Sequence, residues 1–244
     1  MKNLNLILST FILIAMAINL NAQITVGVRA GVTQATYNED PMPANYLGKQ
    51  DMGYITGIDA AVFSNFEIAD FFSIQPELHF VQKGVKITGT DATDNMDLKM
   101  SYRYNFLELP VLARFNYINP SENILFYVSA GPSVGYGLNG KYKGENVSIE
   151  ASEAGIKKGD YETDLEWDDE YSTDGTKSNR WDVGGAAGVG VEFLTDVVNV
   201  VVDARYTMDF TDAIKYETTL SPEPDKIYNR GFSFTVGLAF PIGQ

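Results

Sequence analysis

Ten charged or titratable side chains share one kind of setting. Arg29, Asp59, Glu77, His79, Glu108, Arg114, Asp182, Glu192, Asp203 and Arg205 are each flanked on both sides by apolar residues. Such alternation puts the flanking pair on one face of an extended strand and the polar residue on the other. If the polar faces line one interior, the two signs form either a narrow ion path or a salt-bridged plug. The plug is the expected outcome, because an unpaired buried charge is costly. Carboxylates outnumber guanidinium groups in this set, which implies protonated acids or trapped water beside the ion pairs.

His79 is the only histidine, and there is no cysteine. With Ser129 or Ser133 and an aspartate it supplies the groups of a nucleophilic triad. No motif sets these residues together, so a hydrogen-bonded interior histidine is expected, with no catalytic or cofactor-binding residue. One histidine and no thiol also argue against a transition-metal site. The stretch 143–179 is strongly acidic, with eleven Asp and Glu against four Lys. Asp164, Glu166 and Asp168 alternate like calcium ligands, but Asp169 stands where a calcium loop needs its turn glycine. Tyr161, Trp167 and Tyr171 interleave with Asp164, Glu166, Asp168 and Asp169. A solvated acidic loop with a few aromatic contact residues is expected, and it is the candidate partner site.

The elements that position these groups are strands. Between Arg230 and Gln244, Phe232, Phe234, Val236, Leu238, Phe240 and Ile242 alternate with small or polar residues, a period of two. The same period marks Ile24–Tyr37, Gly53–Ile68, Phe71–Thr88, Ser101–Ile118, Ile124–Tyr142, Arg180–Leu194 and Val198–Ala213. Long polar stretches (about 38–52, 89–100, 143–179 and 214–229) follow the first, third, fifth and seventh strands; short turns follow the others. Eight strands with alternating loop lengths predict an all-β, eight-stranded antiparallel up-and-down transmembrane barrel, with short periplasmic turns and longer extracellular loops. A secreted sandwich has no reason for that loop asymmetry.

Residues 1–22 read as a secretory signal peptide, with Lys2, an apolar run from Leu6 to Leu20 and Ala22 at the cleavage point. Residues 23–244 then form the barrel, in the outer membrane of a Gram-negative bacterium. The expected partners are outer-membrane lipid, the barrel-assembly machinery and other envelope or secretion proteins. A net charge of -14 excludes nucleic acid, whose phosphates require Lys and Arg. Fourteen Tyr and fourteen Phe suit the aromatic girdles of such barrels.

Four blocks resemble a known family. They are Gly27-Val28-Arg29-Ala30-Gly31, Phe72-Ser73-Ile74-Gln75-Pro76-Glu77-Leu78 with Lys83-Gly84, Leu107-Glu108-Leu109-Pro110-Val111-Leu112, and Ala130-Gly131-Pro132-Ser133-Val134-Gly135. Together they resemble the PorT-like outer-membrane β-barrel proteins over essentially the whole chain after residue 22. The resemblance implies a non-enzymatic barrel, with a place in protein secretion or envelope assembly. The alternative is a structural or adhesive barrel of the OmpA or OmpX type. A lipid-modifying barrel enzyme is the third reading, and it depends on His79.

Overall fold

A computed structural model of the chain describes residues 23–38, 49–90, 97–121, 123–152, 155–165, 167, 176–216 and 226–242. The expected signal peptide lies outside the described residues. Among the described residues twelve strands follow one another: β1 (Ile24–Tyr37), β2 (Lys49–Gly53), β3 (Ile55–Ala69), β4 (Phe72–Thr90), β5 (Asp97–Ile118), β6 (Ile124–Ser152), β7 (Gly155–Leu165), β8 (Thr176–Ser178), β9 (Trp181–Phe193), β10 (Asn199–Asp209), β11 (Ile214–Tyr216) and β12 (Asn229–Ile242).

Eight of them close on themselves. The pairing order β4-β3-β1-β12-β10-β9-β6-β5 returns from β5 to β4, so each has two antiparallel neighbours and none has a bare edge over the barrel. First and last strands meet in unbroken register from Ile24↔Ile242 to Tyr37↔Asn229. Short turns at one end join β3 to β4, β5 to β6 and β9 to β10. The Asn119 side chain tightens the second, its Oδ1 accepting from the Asn123 and Ile124 amides at 3.1 and 2.9 Å.

The expected long loops are in part strand. β2 lies in 38–52, the start of β5 in 89–100, the end of β6 with β7 and β8 in 143–179, and β11 in 214–229. The reason is physical: beyond the bilayer no lipid face opposes a lumen face, so a strand there need not alternate and leaves no period of two to read. β6 runs 29 residues, far past the 9–11 that cross a membrane. With β5 and β7 it raises a sheet above the barrel.

Side chains divide by face as the alternation requires. On β12, Phe232, Phe234, Val236, Leu238, Phe240 and Ile242 are exposed, while Ser233, Thr235 and Ala239 are buried. Val28, Ile58, Leu109, Phe115, Val128 and Val189 are exposed in the same way on other strands. A belt of this extent belongs in lipid.

Two apolar clusters lie inside. Toward the long-loop end, Tyr37, Val85, Ile87, Leu98, Met100 and Ile227 pack together. Ile227 is pinned across the mouth by backbone bonds, Ala213 N–H to the Ile227 carbonyl at 2.7 Å and Asn38 N–H to the Tyr228 carbonyl at 3.0 Å. Toward the short turns, Phe63, Tyr127, Val201 and Ala239 form the second cluster. Glycine makes room there: a Cβ on Gly27 would collide with the Phe63 ring, and one on Gly190 with the Tyr127 ring. Where the interior of β4 changes from polar to apolar, Lys83, Gly84 and Val85 are all buried. Gly84 takes φ +141°, a conformation closed to most side chains, with the Tyr102 carbonyl pressed against it.

Candidate functional site: a charged lumen

β4 is the spine of the lumen. Its inward residues Ser73, Gln75, Glu77, His79 and Lys83 follow at strand spacing and are all buried. Partners reach them from the other walls. Arg205 on β10 holds both oxygens of Glu77, Nη1 to Oε2 at 2.8 Å and Nη2 to Oε1 at 3.2 Å. Arg29 on β1 adds a third contact, Nη2 to Oε2 at 2.7 Å, and Gln75 Nε2 donates to Oε1 at 2.7 Å. Asp203 faces Arg205 Nε at 3.3 Å and accepts the Tyr127 hydroxyl at 2.8 Å.

Nearer the short turns, Arg114 bonds Glu192 at 2.6 Å and Gln75 Oε1 at 3.0 Å, and its guanidinium lies 3.7 Å from the centre of the Tyr127 ring. Asn199 Nδ2 donates to the second Glu192 oxygen at 2.8 Å. Toward the long loops, His79 Nε2 is 2.9 Å from Asp59 and Nδ1 is 3.6 Å from Glu108. Lys83 Nζ then joins Glu108 at 2.6 Å, Asp182 at 3.1 Å and Asp209 at 2.6 Å. Polar contacts thus run along the interior from Glu192 to Asp209.

All ten residues singled out from the sequence are buried, and each takes part in this network. Lys83, Asp209, Gln75 and Tyr127 belong to it as well, and the sequence did not mark them as members. Alternation puts all four on the lumen face; what it does not give is reach, since each contacts a strand other than its own. Glu108, Asp182 and Asp209 bring carboxylate oxygens close enough to hold a metal ion, but Lys83 Nζ occupies their centre. Both nitrogens of His79 face carboxylates. Ser133 contacts Glu108 instead, at 3.4 Å, and Ser129 Oγ has no hydrogen-bond partner among the described residues. The groups of a triad are inside one barrel but not assembled.

Of the candidate partner loop, Tyr161 and Asp164 stand exposed on β7. Glu166, Asp168, Asp169 and Tyr171 lie outside the described residues. Trp167 departs from the expectation of a solvated contact residue. Its ring is turned to the lumen mouth, 5.3 Å from Tyr104 and 5.9 Å from Phe106, against Gly137, where any side chain would collide with it. Tyr and Phe rings at the mouth offer it more apolar contact than solvent does.

Comparison with solved structures returns barrels of outer membranes. They include Neisserial surface protein A (11% identity, 89% of this chain and 97% of that one, TM-score 0.43). Ail, the attachment invasion locus protein of Yersinia pestis, aligns at 15% identity over 88% and 98%, with TM-score 0.39. OprG from Pseudomonas aeruginosa aligns at 9% identity over 90% and 96%, with TM-score 0.46. A comparison with curated protein sequences finds no match. The family model for the outer membrane protein beta-barrel domain matches residues 19–215. With its closed ring, lipid-facing belt and charged lumen, the chain belongs to the outer membrane protein beta-barrel domain family.

Proposed function

We propose that this is a non-enzymatic outer-membrane barrel of the structural or adhesive kind, which acts through the sheet it raises above the membrane. The observation that carries this reading is a filled interior beneath a built exterior. Ion pairs and two apolar clusters occupy the lumen, so solute has no passage, while β5, β6 and β7 continue outward as a sheet. Tyr161 is half exposed there, among the exposed pairs Lys99–Glu145 and Lys141–Glu162. Among the described residues β7 pairs only with β6, leaving an edge that a partner strand can extend. Lipid and the barrel-assembly machinery are the remaining partners of this reading, reached after export by a cleaved signal peptide.

Deleting 144–161, which shortens the β6–β7 hairpin, is the direct test. Surface binding by intact cells should fall severalfold, while the protein stays heat-modifiable on SDS gels. Unchanged binding by a correctly folded deletion would overturn the adhesive reading. The PorT-like assignment and its secretion role rest on the four sequence blocks alone. Secreted cargo held back in the periplasm of a strain lacking the gene would favour them. For catalysis, His79→Ala should leave every envelope lipid unchanged.

A further inference from the structure

Outside the lumen, the cations of this acidic chain are gathered at one end. Among the described residues the short-turn end carries Glu67, Asp70 and Asp196 and no Lys or Arg. Toward the long loops, four cations stand together on the outward face of β4, β5 and β6. Arg103 on β5 is directly opposite Lys141 on β6, and the next outward pair, Ser101 and Lys143, sets Lys143 diagonal to it. Lys86 on β4 pairs with Ser101 and flanks Arg103 from the other side. All four are exposed, while Val85, Ile87 and Gly144 beside them in sequence are buried.

Like charges directly opposite on neighbouring strands repel. Little on the protein offsets this. Lys141 reaches Glu162 at 3.3 Å and Asp164 at 3.9 Å, but in exposed pairs that contribute little. Among the described residues no carboxylate comes within ion-pair distance of Arg103, Lys86 or Lys143. Arg103 Nη2 donates to the Thr56 carbonyl at 3.2 Å, which uses one of its donors.

Depth decides what meets this group. The outward residues Leu107, Leu109, Phe115 and Tyr117 of β5 are exposed and apolar, and 107–117 is about the 9–11 residues that cross a bilayer. Asn105 comes next on that face, in a row of carboxamides: Gln82 Nε2 donates to Asn105 Oδ1 at 2.9 Å, and Asn105 Nδ2 to Asn139 Oδ1. Arg103 is one step further, where hydrocarbon gives way to headgroups. We propose that Arg103, Lys141, Lys86 and Lys143 form a binding site for the anionic phosphate headgroup of a lipid in the leaflet on the long-loop side. A phosphate takes the Arg103 fork in a bidentate grip and the lysines as point charges, and its charge turns their mutual repulsion into attraction. Further out the same face turns mixed, with Asp97 and the Lys99–Glu145 pair, so the cationic band is confined to headgroup depth. The site leaves the 144–161 hairpin unoccupied and so does not depend on the adhesive reading.

The test compares thermal unfolding of the barrel folded into vesicles of phosphatidylcholine alone and of phosphatidylcholine with about one-fifth phosphatidic acid, at equal ionic strength. The acidic vesicles should raise the midpoint by about 2–4 °C. Arg103→Gln together with Lys141→Gln should remove that difference, yet unfold no earlier than wild type in phosphatidylcholine alone, because the repelling pair is gone. Lys226→Gln, which changes an exposed cation away from the site, should leave the difference intact. Equal wild-type midpoints in the two vesicles, the full difference retained in the double variant, or its loss in Lys226→Gln as well would overturn the site. So would an equal rise from inorganic phosphate added to phosphatidylcholine vesicles, since the ligand would then be a free anion.

Discussion

Arg205 and Glu77 meet across the full width of the lumen. They lie on β10 and β4, four places apart in a ring of eight and so on opposite walls, and two hydrogen bonds join them at 2.8 and 3.2 Å. Six residues further along β4, Lys83 makes a second crossing to Asp209 on β10 at 2.6 Å. An eight-stranded barrel is just wide enough to be filled by side chains, and here two salt-bridged struts span it. Apolar packing beyond each strut keeps water from competing for the pairs.

Removing one end of a strut should cost far more than removing both. Glu77→Gln leaves Arg29 and Arg205 buried against a neutral group, and unfolding in urea should register a loss of roughly 3–5 kcal/mol. Arg205→Met together with Glu77→Leu should recover much of it, because the desolvation cost goes with the charges. A double variant as weak as the single would mean that Arg29, left without its Glu77 partner, dominates the loss.

The Tyr127 ring depends on the absence of a side chain at Gly190. Gly190→Val should displace the ring, breaking its bond to Asp203 and its stacking with Arg114, at about 1–3 kcal/mol. Combining it with Tyr127→Ser should cost less than the sum of the two single changes, as read by double-mutant unfolding.

Ile227 closes the long-loop end from a segment that alternation gives no reason to single out. Ile227→Ala should lower stability by roughly 2–5 kcal/mol through the cavity it leaves. It should also speed hydrogen exchange of the Asn38 and Ala213 amides, which bond the 227–228 backbone. Exchange unchanged at both would mean that the segment holds without its side chain.

The outward belt makes a test independent of the lumen. Val236 is 58% exposed in the middle of β12, so in the membrane its side chain meets acyl chains. Val236→Arg should destabilise the barrel folded into vesicles by about 2–4 kcal/mol. Ile242→Arg, on the same outward face at the end of β12, should cost markedly less.

Much of this architecture is legible in the residues. A period of two along β12, β4 and β10 gives strand, face and closure together, since one face must meet lipid and the other the lumen. That is why Arg29, Glu77 and Asp203 can be placed inside before any partner is known. Pairings across the lumen are not legible, because barrel tilt and stagger decide which inward residues share a level; Lys83 and Asp209 are 126 residues apart. Nor is the outer sheet. Lys143 and Glu145 on β6 carry no apolar alternation and read as loop. Trp167 escapes for a related reason: its neighbours in sequence are acids, while its neighbours in space are Tyr104, Phe106 and Gly137.

Conductance of the purified barrel in a planar lipid bilayer tests the closed lumen most directly. With Glu77, Arg29 and Arg205 across the middle and apolar clusters toward both ends, the wild-type barrel should insert without a steady ohmic current at neutral pH. Replacing both struts and the cap (Glu77→Ala, Arg205→Ala, Lys83→Ala and Ile227→Ser together), in protein that still folds, should open a measurable path. A stable open channel in the wild-type protein would contradict a filled lumen and, with it, the reading that this barrel works only through its outer surface.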